Sequence, residues 1–237
     1  TLTNCPSCGQ TTFSPYLSAK DHTYSKSRFQ LVKCDSCTLV FTNPLPEESE
    51  IAKYYDNPDY VSHSDTKRGV LFTVYALVKS RALKQKRLLL ENQTTQRTAL
   101  EYGSGTGDFS AELAHNGWSV ISYEPDGNAR EKIHVKASSI TLVNSLETLP
   151  TGGVSTITLW HVLEHVHQLN ETLKTFNRLL NHQGTLIIAV PNYRSFDAQF
   201  YNEEWAAYDV PRHLYHFDFV VACFYFVVFR NKYFFET

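Results

Sequence analysis

The chain has 237 residues, with 22 Lys and Arg against 24 Asp and Glu, a formal net charge of −2 and 42% apolar residues. That length suits one ordinary domain plus a small module, and the near-neutral balance excludes an overall electrostatic pull toward nucleic acid or anionic membrane, leaving only a local basic patch as a route to either. No signal peptide opens the chain and no apolar run reaches the ~18 residues of a membrane span, so a cytoplasmic protein with no membrane partner is expected. Methionine is absent, and long spacings are read as lower bounds.

The first 40 residues hold Cys5-Pro-Ser-Cys8-Gly9 and Cys34-Asp-Ser-Cys37, two Cys-x-x-Cys pairs with 25 residues between them. Each pair forms a tight knuckle, and four thiolates satisfy tetrahedral Zn²⁺ with no open position. With the alternating segments Arg28–Lys33 and Thr38–Thr42 they read as a zinc ribbon over residues 1–45, its structural Zn²⁺ held by Cys5, Cys8, Cys34 and Cys37. Two disulfides are the alternative, but nothing points to export. Cys223, in an apolar run, reads as an inert core residue.

Residues 46–96 read as a helical linker or cap. An acidic helix start at Pro46–Glu50 leads to the aromatic stretch Tyr54–His63, then to one long helix over 66–92 with Val70, Leu71, Val74, Leu77 and Val78 on one face. Seven Lys or Arg residues fall between Lys67 and Arg87. They read as a solvated face, with docking of a phosphate-bearing substrate as the sharper alternative.

In Ala99-Leu-Glu-Tyr-Gly-Ser-Gly-Thr-Gly-Asp108 an apolar strand breaks into alternate glycines and an acidic helix start. Glycines at 103, 105 and 107 let the backbone take positive φ and let a ligand approach. A second strand, Trp118–Tyr123, ends in Glu124, 21 positions past Gly103, where dinucleotide-binding folds grip ribose hydroxyls. Glu101, just before the turn, would repel a pyrophosphate but suits a ligand bearing an ammonium and a sulfonium. Further strands are expected at Ile140–Val143, at Thr156–Trp160 running into His161-Val-Leu-Glu-His165, and at Gly184–Asn192, with a helix over Leu169–Leu180 that Gly184 closes in a left-handed conformation. Strand alternating with helix implies a doubly wound α/β domain with a mostly parallel sheet over 97–237.

These motifs, Glu101 to Gly107, Glu124, Thr156–Val166 and Gly184–Asn192, resemble the class I S-adenosylmethionine-dependent methyltransferases, in family order, across roughly residues 97–217. The resemblance implies a Rossmann-like fold. It implies that S-adenosylmethionine is held by Glu101, Gly103, Ser104, Gly105 and Gly107 at its amino-acid end, by Glu124 and Pro125 at the ribose, by Ser145 near the adenine, and by His161 at the fourth strand tip. In family members with an amino-terminal zinc ribbon, a segment like Pro211-Arg-His-Leu214 lies over the substrate side, so the catalytic candidates are Arg212, to hold an acidic group, and His213 or His216, to take a proton. Aromatic stretches like Tyr54–His63 often lie near the cofactor mouth. The end of the chain, Phe217–Phe229 and onward, is expected to form a closing antiparallel hairpin.

The functional expectation is methyl transfer to a small molecule such as a sugar nucleotide or another anionic metabolite. Three readings compete with it: an RNA methyltransferase using the ribbon for its substrate; a non-enzymatic binding module with a degenerate cofactor fold, against which the intact glycines and Glu124 argue; and a zinc metalloprotease, because His161-x-x-Glu164-His165 has the inverted protease spacing. A strand running into His161, where the protease needs a formed helix, argues against the last.

Overall fold

The computed structural model describes residues 1–55, 70–218 and 232–236. Two sheets carry the fold. In the first, β1 (Phe13–Lys20) pairs antiparallel with β2 (Arg28–Cys34) from Phe13↔Cys34 to Lys20↔Arg28, with a bulge between Pro15 and Leu17 where proline cannot donate to the ladder. β3 (Val40–Thr42) joins β2, and β9 (Tyr215–His216) joins β3 through Phe41↔Tyr215 and Val40↔His216. The ribbon sheet is therefore completed by a strand from far along the chain.

The second sheet has the order β10-β8-β7-β4-β5-β6 and parallel pairing throughout, from β4 (Thr98–Tyr102), β5 (Ser119–Tyr123), β6 (Thr141–Val143), β7 (Val154–Trp160), β8 (Leu180–Ala189) and β10 (Lys232–Glu236). β7 is buried from Val154 to Leu159, as a central parallel strand must be. One face packs α2 (Val70–Gln93), α3 (Asp108–His115) and α4 (Gly127–Lys136) through Leu90, Phe109, Leu113 and Ile133. The other packs α5 (Leu169–Leu179) through Leu173 and Phe176, and the same cluster takes in Cys5, Cys34, Leu39 and Phe41, so ribbon and α/β sheet share one core. No helix among the described residues is long and apolar enough to cross a membrane.

Three expectations are corrected. Val74, Leu77 and Val78 do not pack: they stand in solvent, and α2 buries its later part instead, at Leu90 with Leu83 and Leu89 beside it. Gly184 is not left-handed; α5 runs directly into β8, and Asn181–Gly184 form an irregularity at which a Cβ on Gly184 would meet Leu180 Cδ2 at 2.8 Å. The closing strand β10 pairs parallel to β8, not antiparallel. The expected core role of Cys223 and most of the expected hairpin lie outside the described residues, as do Tyr60 and His63.

Candidate active site

Four strand ends deliver the expected cofactor residues to one edge of the parallel sheet, the carboxyl edge where open α/β sheets bind ligands. After β4 the turn holds Gly103, Gly105 and Gly107 at φ of 73°, 53° and 75°. Gly103 has a second reason to be glycine: a Cβ there would lie 2.5 Å from Val162 Cγ2. Gly107 starts α3, and Asp108 in its first turn ties α4 and α2 together through Lys136 at 2.6 Å and Lys79 at 2.9 Å.

A cavity of about 320 Å³ opens against this turn, lined by Glu101, Gly103, Ser104 and Gly105 and walled by Lys79, Lys86 and Trp160. Its volume lies in the range of small-molecule sites. Glu101 is 4% exposed and accepts a hydrogen bond from Ser110 Oγ. Burial pushes its carboxyl up to about 7, against the opposing pull of Ser110 and Lys86. Ser104 and Trp160, two of the lining residues, each bury a polar atom, Oγ and Nε1, that has no hydrogen-bond partner among the described residues. An acid, an unpaired hydroxyl and an unpaired indole N–H around a glycine turn fit a polar ligand with a cationic end.

The other expected cofactor residues sit nearby without lining that cavity. Glu124, at the end of β5, accepts from Gly105 N–H at 2.7 Å and from Asp126 N–H at 2.9 Å, so its carboxylate is drawn onto the glycine turn. Pro125 beside it is exposed. Ser145 lies in the loop after β6, its Oγ accepting from Glu147 N–H at 3.2 Å. His161 ends β7 at φ 57° with its side chain 65% exposed. Lys79 and Lys86 were read in the sequence only as part of a basic face. Their spacing of seven puts them on one side of α2, a signal that no local motif connects to the glycine turn.

A family model described as a methyltransferase domain matches residues 76–223. The chain belongs to the methyltransferase domain family. Its α/β part is therefore a methyltransferase domain. No curated protein matches the chain. Among solved structures, an S-adenosylmethionine-dependent methyltransferase from Archaeoglobus fulgidus shares the fold at 18% identity and a TM-score of 0.53, over 63% of this chain and 67% of that one. A second, from Thermotoga maritima, is 17% identical with a TM-score of 0.49, over 59% and 66%. A protein from Pyrococcus horikoshii is 19% identical at 0.42, over 47% and 57%. The chain thus spans between 57% and 67% of the length of these three.

The segment after β8 lies between the amino-terminal sheet and the β7 turn: Thr42 N–H donates to Leu214 O, and Leu214 N–H donates to Glu164 O. Arg212 is 1% exposed, its guanidinium donating to Asp209 and Asp21 and to the Tyr54 carbonyl. It clamps three segments rather than standing open to an acidic substrate. His216 is buried within β9, where burial, with His213 nearby, drives its pKa well below the ordinary histidine value. His213 is largely buried, with Nδ1 2.8 Å from the Ala207 carbonyl. Tyr54 packs against Tyr24 and Phe29 of the ribbon side, whereas Tyr55 reaches His165 Nδ1 at 2.8 Å. Leu163–His165 is a single 3₁₀ turn. The inverted protease arrangement needs His161 and His165 a turn apart on one α-helix, so that reading has no support here.

At the other end of the shared core the Cys5 and Cys37 sulfurs are 3.5 Å apart, those of Cys8 and Cys34 3.6 Å, and all four lie within 4.8 Å of one another. Four sulfurs about 2.3 Å from a tetrahedral zinc would stand about 3.8 Å apart. The backbone favours the thiolate forms as a knuckle does: the N–H groups of Cys8 and Ser7 act to lower the Cys5 pKa, and that of Leu39 the Cys37 pKa. Gly9 and Thr38, both at positive φ, turn the chain out of the two knuckles. The contact with Cys5 pulls the Cys37 thiol down to about 5 and pushes Cys5 up.

Proposed function

We propose that this protein transfers the methyl group of S-adenosylmethionine to a small anionic acceptor, such as a sugar nucleotide, and that Cys5, Cys8, Cys34 and Cys37 hold a structural Zn²⁺. The observation that carries the reading is the buried Glu101 lining the same cavity as the glycine turn. In its ionised form Glu101 answers the ammonium of the cofactor's amino-acid end, while Lys79 and Lys86 supply positive charge for its carboxylate. Glu124 exchanges the Gly105 N–H for ribose hydroxyls, with Pro125 shaping the same edge. Ser145 and His161 border the adenine and the strand tip. When bound, the cofactor supplies an electrophilic methyl group, and the protein's share is alignment and exclusion of water. The zinc closes a module too small to hold its own core. A small anionic acceptor is favoured because zinc ribbons precede similar domains in sugar methyltransferases, an argument by likeness.

The test is transfer of labelled methyl from S-adenosylmethionine by zinc-loaded protein, offered a panel of nucleotide sugars and, separately, total RNA. Label in the small-molecule fraction is expected. Label in RNA alone would overturn the choice of acceptor.

A further inference from the structure

Beyond the cofactor turn a second set of donors comes together that the methyl-transfer reading leaves without a task. Glu164, His165 and His213 each bring one ligand atom into a group whose members all lie within 4.8 Å of one another. Glu164 is 0% exposed, and neither of its carboxylate oxygens has a hydrogen-bond partner among the described residues; His161 Nδ1 stays 3.7 Å from Oε1. A carboxylate left this way in the interior costs several kcal/mol unless an ion or a full set of donors answers it.

Each of the two imidazoles has one ring nitrogen set against a backbone carbonyl. His165 Nδ1 lies 3.0 Å from the Arg212 carbonyl as well as 2.8 Å from the Tyr55 hydroxyl, and His213 Nδ1 lies 2.8 Å from the Ala207 carbonyl. A carbonyl can only accept, so Nδ1 carries the proton in both rings and Nε2 keeps its lone pair. A backbone carbonyl fixing the far nitrogen is how ligating histidines are held in place. Asp209, 4.0 Å from His213 Nε2, is itself engaged by Arg212. The rings of His165 and His213 meet edge to face at 4.6 Å, so their placement is mutual.

We propose that Glu164, His165 and His213 form a divalent-cation site beside the glycine turn, with the exposed His161 as a further donor at its open side. Two imidazoles and a carboxylate suit Zn²⁺, Co²⁺, Fe²⁺ or Mn²⁺, and three protein donors leave a coordination position for water or for an oxygen of a second ligand. Two ligands each about 2.1 Å from one ion are at most about 4.2 Å apart, so occupancy requires only a small closure of the cluster. Val162, two residues before Glu164, contacts the Gly103 position, which places the site next to the cofactor edge and apart from the four cysteines.

Titration of zinc-loaded full chain with Co²⁺, followed by absorption spectroscopy and metal analysis, tests this. One Co²⁺ per chain is expected in addition to the ribbon zinc, with nitrogen and oxygen ligand-field bands and no thiolate charge transfer. Its affinity should fall at least tenfold in both Glu164→Gln, which keeps the side-chain shape, and His213→Ala, while the zinc count stays unchanged as a check on folding. No second ion, a second ion with thiolate bands, or one indifferent to both substitutions would overturn the proposal. S-adenosylmethionine binding measured on the same samples reports on the methyl-transfer reading independently.

Discussion

Glu101 is the residue whose chemistry is most exposed to test. Its folded pKa of about 7 stands above the ordinary carboxylate value, so its stabilising contribution is present at low pH and is lost as pH rises through 7. Ligand-free protein should therefore lose stability, on the order of 3 kcal/mol in full, between about pH 4.5 and pH 7.5 through this residue. Glu101→Gln should flatten that dependence in thermal melts. A cationic ligand needs the ionised form, so affinity for S-adenosylmethionine should run the other way and rise about tenfold from pH 6 to pH 8; a flat affinity profile in the parent protein would contradict the role. At Gly103, alanine must hold φ 73° and meet Val162 at 2.5 Å. That strain costs about 1–3 kcal/mol, and calorimetry should show cofactor affinity at least tenfold weaker. Arg212→Met leaves the buried Asp21 with only the donors of its own turn and takes the cation from half-buried Asp209, and should destabilise by about 1–3 kcal/mol in denaturant unfolding.

The elements show where local signals end. The two Cys-x-x-Cys knuckles and the strand, glycine turn and helix of β4 and α3 are legible because each is written within a dozen residues: cysteine spacing in one, φ-permissive glycines in the other. β9 is not, because its pairing with β3 joins residues about 175 apart and two residues carry no periodicity of their own. The burial of Arg212 is hidden for the same reason, since Asp21 belongs to the β1–β2 turn. There the N–H groups of Ser25, Thr23 and Tyr24 outweigh burial and hold the Asp21 carboxyl well below its usual range. α2 was readable as a helix but not as a cofactor wall, since the apolar face its sequence displays is the one left in solvent. Because Cys5 and Cys34 sit in the core of α5, removal of zinc with a strong chelator should lower the melting temperature of the α/β sheet along with the ribbon, in one transition. Two separate transitions, with the second unmoved by the chelator, would show the two parts to be uncoupled.

At the scale of the whole molecule, the ribbon sheet, the segment 205–217 and the β7 turn form one continuous stack over one face of the parallel sheet, while α2, α3 and α4 cover the other. The cofactor edge lies between them, and the residues that could meet an acceptor come from the ribbon side. Calorimetric titration of zinc-loaded protein with S-adenosylmethionine and with its demethylated product tests cofactor binding at this edge most directly. Micromolar binding of both is expected, one ligand per chain, weakened at least tenfold by Gly103→Ala; a folded, zinc-loaded parent protein that binds neither ligand would rule out the cofactor site.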